Sequence, residues 1–211
     1  TDNYNVAVGF QSGYSVTTGL RNTIIGGLAA DSVTEGNNNV ALGYNSLGAD
    51  TLGNNTVAIG QGTLQAQNFT SAANAYNVAV GHQAGNSVTT GQYNTLIGGL
   101  AGDANTTGAG NTGVGYNSLG SNTTGSLNTA VGNASLDANT TGADNTAVGN
   151  AALGANTTGD RNVAIGSTAL DANTTGDNNS ALGETALGAN TTGGNNVAIG
   201  KSALATNTTG S

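Results

Sequence analysis

The stretch Asn162–Asn178, NVAIGSTALDANTTGDN, decides the fold because the chain repeats it. Its corner glycine, Gly166, is one of a series: Gly9, Gly26, Gly43, Gly60, Gly81, Gly98, Gly115, Gly132, Gly149, Gly166, Gly183 and Gly200. Every interval is 17 residues except one of 21, between Gly60 and Gly81. The chain therefore holds twelve units, and the four extra residues fall within Gln67 to Tyr76 as one loop insertion. A 72-residue period overlies the short one. NYNVAVGFQSGYSVTTG from Asn3 returns as AYNVAVGHQAGNSVTTG from Ala75, as a duplicated block of four units would.

A 17-residue unit is too short for a pair of helices, which takes about 34 residues in helical repeats. Its apolar segments are three residues long and bounded by Gly and Asn, the pattern of short strands and turns. The sequence predicts an all-β fold, a parallel β-solenoid (β-roll) of twelve 17-residue coils with one four-residue insertion. A single repeat domain spans residues 1–211. Adjacent coils would stack about 4.8 Å apart, giving a rod about 58 Å long.

The columns assign the wall. The residue before each corner glycine is always aliphatic: Val8, Ile25, Leu42, Ile59, Val80, Ile97, Val114, Val131, Val148, Ile165, Leu182 and Ile199. This column is read as the core, closed from the other wall by Leu four residues after the glycine in eight units. Units without that Leu are read as using Leu28 and Leu100 instead. Asn stands four before the glycine in eleven units, at Asn5, Asn22, Asn39, Asn77, Asn94, Asn111, Asn128, Asn145, Asn162, Asn179 and Asn196. Carboxamides both donate and accept, so this column is expected to form a ladder between coils.

Alternation along a strand then turns the residue two before the glycine outward. It is Ala in nine units: Ala7, Ala41, Ala58, Ala79, Ala130, Ala147, Ala164, Ala181 and Ala198. A small apolar stripe on an outer face predicts close packing against another chain. Neither end carries the polar cap that repeat arrays need. That predicts continuation in a longer chain or stacking of one molecule on the next.

Composition removes several chemistries. The chain has no Cys, Met, Trp or Pro, so disulfides, thiol nucleophiles and zinc knuckles are excluded. The formal charge is −8 with only Arg21, Arg161 and Lys201 as cations, which disfavours nucleic acid and anionic membrane surfaces. No apolar run approaches the roughly 20 residues of a membrane span. His82 is the only histidine and sits in a variable column. Asp137 and Asp171 share a column two coils apart, about 10 Å, too far for paired acid–base work or a shared metal. No catalytic residue, metal site or cofactor is expected.

Three surface features remain. All eight aromatics precede residue 117: Tyr4, Phe10, Tyr14, Tyr44, Phe69, Tyr76, Tyr93 and Tyr116. Exposed aromatics of this kind serve as surfaces for a glycan or protein ligand. The Asn-x-Thr triplets from Asn105 through Asn207 fit glycosylation acceptors, and equally the corner chemistry of the repeat. The Thr ranks Thr17, Thr18, Thr89, Thr90 and Thr106 through Thr209 fit an ice-binding solenoid.

The motif at Asn5–Gly9, Asn77–Gly81, Asn162–Gly166 and Asn196–Gly200 resembles the YadA-like head repeats of trimeric autotransporter adhesins. The NTTG turns are similar to those of phage tail-fibre β-roll repeats. The present unit is longer than the adhesin repeat. The resemblance implies a homotrimeric, extracellular fibre or adhesin segment at a cell or virion surface. The expectation is a non-enzymatic rigid spacer and display surface, with an end-to-end filament subunit as the alternative.

Overall fold

The computed structural model describes residues 3–211. Twelve three-residue strands form one parallel sheet in chain order: Val6–Val8, Thr23–Ile25, Val40–Leu42, Val57–Ile59, Val78–Val80, Thr95–Ile97, Thr112–Val114, Thr129–Val131, Thr146–Val148, Val163–Ile165, Ser180–Leu182 and Val197–Ile199. Each strand pairs with the strand one coil on, as Thr146 with Val163 and Val148 with Ile165. The shift is 17 residues throughout, except that Val57 pairs with Val78 across the insertion. The insertion carries its own pair, Gly53–Asn54 with Ala73–Asn74. The chain is a parallel β-solenoid.

Hydrogen bonds knit the coils beyond the strands as well. Gly43 N–H donates to the Ile25 carbonyl (2.8 Å), Leu136 N–H to Ala152 (3.0 Å) and Thr140 N–H to Thr157 (2.9 Å). Each turn thus satisfies its main chain on its neighbours, as a one-dimensional array requires. The corner glycines fix the turn. Gly166 has φ 137°, and a Cβ on it would lie 2.5 Å from the Gly183 carbonyl oxygen of the next coil. No side chain fits there, and an L-residue would strain at that φ.

The interior reverses the expected phase. The Ala column faces inward: Ala41, Ala58, Ala79, Ala130, Ala147, Ala164, Ala181 and Ala198 are buried. Ala7, on the first coil, is exposed. The aliphatic column faces outward. Val8, Ile25, Leu42, Ile97, Val131, Ile165, Leu182 and Ile199 are exposed, and Ile59, Val80, Val114 and Val148 are half-buried. Ala164 is 0 % exposed and Ile165 beside it 39 %. Alternation holds, but the core and interface columns exchange places.

The reason is the width of the lumen. A 17-residue coil leaves room for about one large side chain per turn, and Leu47, Leu64, Leu119, Leu136, Leu153, Leu170 and Leu187 supply it. Opposite them only Ala or Gly fits, because extra methylenes in a packed interior force strain. Where the large residue instead stands on the strand, as Ile24 and Leu96, the facing position shrinks to Ala30 and Gly102. Ile24 and Leu96 are the compensating residues. Leu28 and Leu100, expected in that role, are only half-buried.

Candidate functional site

The outer sheet face is built by two columns, three residues and one residue before the corner glycine. Val, Thr or Ser fills the first and Val, Ile or Leu the second, so each strand presents two outward side chains around one central residue, Ala on nine strands. Twelve coils in register convert this into a continuous apolar stripe along the rod. Its aliphatic side chains are partly in water, and covering each would gain a fraction of the about 1.5–3 kcal/mol of full burial. At one margin Phe10, Tyr44 and Tyr116 stand just past the corner glycine. A Cβ on Gly27 would lie 3.6 Å from Tyr44 Cδ2, and one on Gly99 3.6 Å from Tyr116 Cδ2, so each ring packs beside the glycine one coil back.

The Asn column forms a ladder, but a different one from amide on amide alone. Asn22 N–H donates to Asn5 Oδ1 (2.8 Å), and Asn22 Nδ2 donates to the Gly36 carbonyl (2.8 Å). The pattern recurs at Asn162, whose N–H donates to Asn145 Oδ1 (2.9 Å) and whose Nδ2 reaches Gly176 O (2.8 Å). Each side chain therefore ties the far end of its own 17-residue unit to the first main-chain N–H of the next. Thr56 breaks the column, and Gln67 from the insertion fills in. Its Nε2 donates to Thr56 Oγ1 (3.0 Å) and Asp50 Oδ2 (2.8 Å), and its Oε1 accepts from Asn77 Nδ2 (2.8 Å).

A second ladder went unread in the sequence. The Asn of each NTT triplet points inward and is buried from Asn105 through Asn190. Asn139 Nδ2 donates to Asn122 Oδ1 (2.8 Å) and to Gly142 O (2.9 Å), and Asn156 repeats both bonds. From Asn122 through Asn190 both Nδ2 hydrogens are used inside the wall, so these side chains are structural and closed to glycosylation in the folded chain. The register itself was the available signal, since the column is Val16, Val33 and Val88 in three other units, an interior choice, and an Asn in an interior column must find its partners there.

The adjoining Thr residues divide. Thr140 Oγ1 donates to the Thr157 carbonyl (3.0 Å) and is half-buried, while Thr141 is exposed. Each NTT corner thus offers one outward Thr rather than two.

The ionisable groups stay apart. His82 is exposed. Asp103, Asp137 and Asp171 stand on alternate coils of one column, each half-buried, and burial raises each carboxyl above its ordinary 3.8. Asn117 Nδ2 donates to Asp137 Oδ1 (2.7 Å). Asp50 is fully buried, and burial raises its carboxyl, opposed by hydrogen bonds from Gln67, Phe69 and Gly53. The one ion pair among the described residues is Lys201–Glu184 at 2.9 Å, both exposed. Among those residues no three metal-ligating side chains converge, no pocket opens, and no helix is long and apolar enough to cross a membrane.

No family model, curated protein or solved structure matches the chain. Its functional reading therefore rests on the surfaces described above.

Proposed function

We propose that the chain is a non-enzymatic, rigid β-solenoid segment of an extracellular fibre or adhesin at a cell or virion surface. It acts as a spacer and display surface and associates side by side with copies of itself, three in the closed form implied by the resemblance. The observation that carries this reading is the stripe of aliphatic residues facing outward in register on twelve consecutive strands, eight of them exposed and four half-buried. An apolar patch continuous along a whole molecule marks an association surface. Chains meeting there remove both stripes from water, a gain of the size needed to offset the about 4–15 kcal/mol cost of association. Copies are natural partners because each brings the same flat sheet and spacing. Sparse charge and a net −8 keep nucleic acid and acidic membranes out of the reading.

Light scattering on the purified chain tests this. A discrete mass of three chains, reduced to one by Ile97→Lys with Ile165→Lys while circular dichroism is retained, is the expected result. A monomer, or a mass unchanged by both lysines, overturns it. Long heterogeneous assemblies indifferent to the lysines would instead support end-to-end stacking into a filament.

A further inference from the structure

The single break in the 17-residue period lies beside the only stacked aromatic pair among the described residues. Tyr76 and Tyr93 occupy the same column on consecutive coils, with ring centroids 5.9 Å apart and planes 17° from parallel. They are 50 % and 58 % exposed. Tyr76 closes the insertion, whose Ala73–Asn74 strand is held on Gly53–Asn54. That anchoring also orders a rim of carboxamides. Asn55 Nδ2 donates to Asn74 Oδ1 (2.9 Å), and Gln92 Nε2 donates to the Asn74 main-chain carbonyl (3.3 Å). Asn74 Nδ2, Asn55 Oδ1 and Gln92 Oε1 carry no hydrogen bond to protein.

The column continues as Gly110 and Leu127. Leu127 leans back over the glycine, where a Cβ would meet its Cδ2 at 2.9 Å. The rings thus extend into an apolar ledge with open polar valences along its edge. Three charged groups share this column: Arg21 and Asp144 each stand three coils from the pair, about 14 Å, and Arg161 stands one coil farther.

We propose that this ledge is a binding site for a neutral hexopyranose glycan. A pyranose has an apolar C–H face and a rim of hydroxyls that donate and accept. The C–H face matches the electron-rich face of a tyrosine ring, and the hydroxyls match free carboxamide donors and acceptors. The uncharged setting, on a chain of net charge −8, selects neutral over acidic sugars. Insertions in repeat proteins are a common place for binding surfaces. The site does not depend on self-association, so its test and the mass measurement succeed or fail separately.

Saturation-transfer NMR with cellohexaose, maltohexaose and chitohexaose as neutral probes and 3′-sialyllactose as the acidic comparator tests the proposal. At least one neutral probe should bind saturably. Tyr76→Ala with Tyr93→Ala should weaken that binding about tenfold or more, the scale of two lost ring contacts. Tyr44→Ala, in a different column, should leave it unchanged, and circular dichroism should report all variants folded. No saturable binding of any neutral probe, equal binding by the double variant, an equal loss in Tyr44→Ala, or preference for the sialylated sugar overturns it. Capture of protein ligands alone, with all three sugars silent, would assign the ledge to protein recognition and also overturn it.

Discussion

Leu96 fills the space that a larger residue at Gly102 would need: a Cβ on Gly102 would lie 2.7 Å from Leu96 Cδ2. The two positions belong to opposite walls of one coil. The same exchange occurs at Ile24 and Ala30, while six residues after most other inward alanines stands a leucine. Most coils thus trade size across the lumen, while the coil of Ala79 and Gly85, small at both positions, is filled by Val88 and by its neighbours. Neighbouring coils share the trade, because Leu64 and Leu96 also close over Gly85.

Leu96→Ala should therefore cost about 2–5 kcal/mol, and Gly102→Leu alone about 1–3 kcal/mol from overpacking. Combined, they recreate the Ala–Leu arrangement of most other coils, where Leu tolerates φ of 47–57° at this position. The double variant should recover most of the loss in urea denaturation. Additive losses would refute the volume exchange.

The corner glycines separate strain from collision. Gly200 has φ 117° with nothing within 4 Å of its Cβ direction, whereas Gly166 adds the Gly183 carbonyl at 2.5 Å. Gly200→Ala should cost about 1–3 kcal/mol of backbone strain. Gly166→Ala should cost clearly more and lower the thermal midpoint further. Equal midpoints would mean that the stack opens to admit a methyl group.

The exchanged columns give opposite responses at adjacent residues. Ala164→Val should destabilise the monomer by about 1–3 kcal/mol, because the lumen is full. Ile165→Thr should leave monomer stability within about 0.5 kcal/mol and weaken association. Thermal melts at low concentration, set beside light scattering, distinguish the two. The reverse pattern would restore the aliphatic column to the interior.

Acid should firm the region around the insertion. Burial raises the Asp50 carboxyl, so the native chain binds its proton more readily than the unfolded chain, whose value is near 3.8. Between 3.8 and the raised native value the folded state holds more protons, and this group's effect on stability becomes less favourable as pH rises. The Asp50 carboxyl carbon shift should titrate with a midpoint above 3.8, and Asp50→Asn should remove that part of the pH dependence. A midpoint at or below 3.8 contradicts this account.

The period, the insertion, the parallel stacking and the Asn column were all legible from spacing alone. The phase of the strand is not legible in this way, because hydrophobicity ranks Ile165 above Ala164 and points burial to the stronger residue. A narrow lumen inverts that ranking, since the inward position is limited by volume. A correcting signal was present: no unit carries both a large residue two before the corner and Leu four after it, as residues that share a space require. The stacking of Tyr76 on Tyr93 and the bonds that Asn74 makes were not legible, because they depend on where the insertion folds back.

The coil-to-coil hydrogen bonding has a mechanical consequence. Pulled along its axis, the rod presents its bonds to the load one turn at a time, and among the described residues no strand pairing or hydrogen bond reaches beyond the next coil to share it. Each turn that yields loses about 4.8 Å of rod and frees 17 residues, about 56–61 Å of extended chain. Under tension the molecule would lengthen in equal steps set by the repeat, with one odd step of 21 residues marking the insertion.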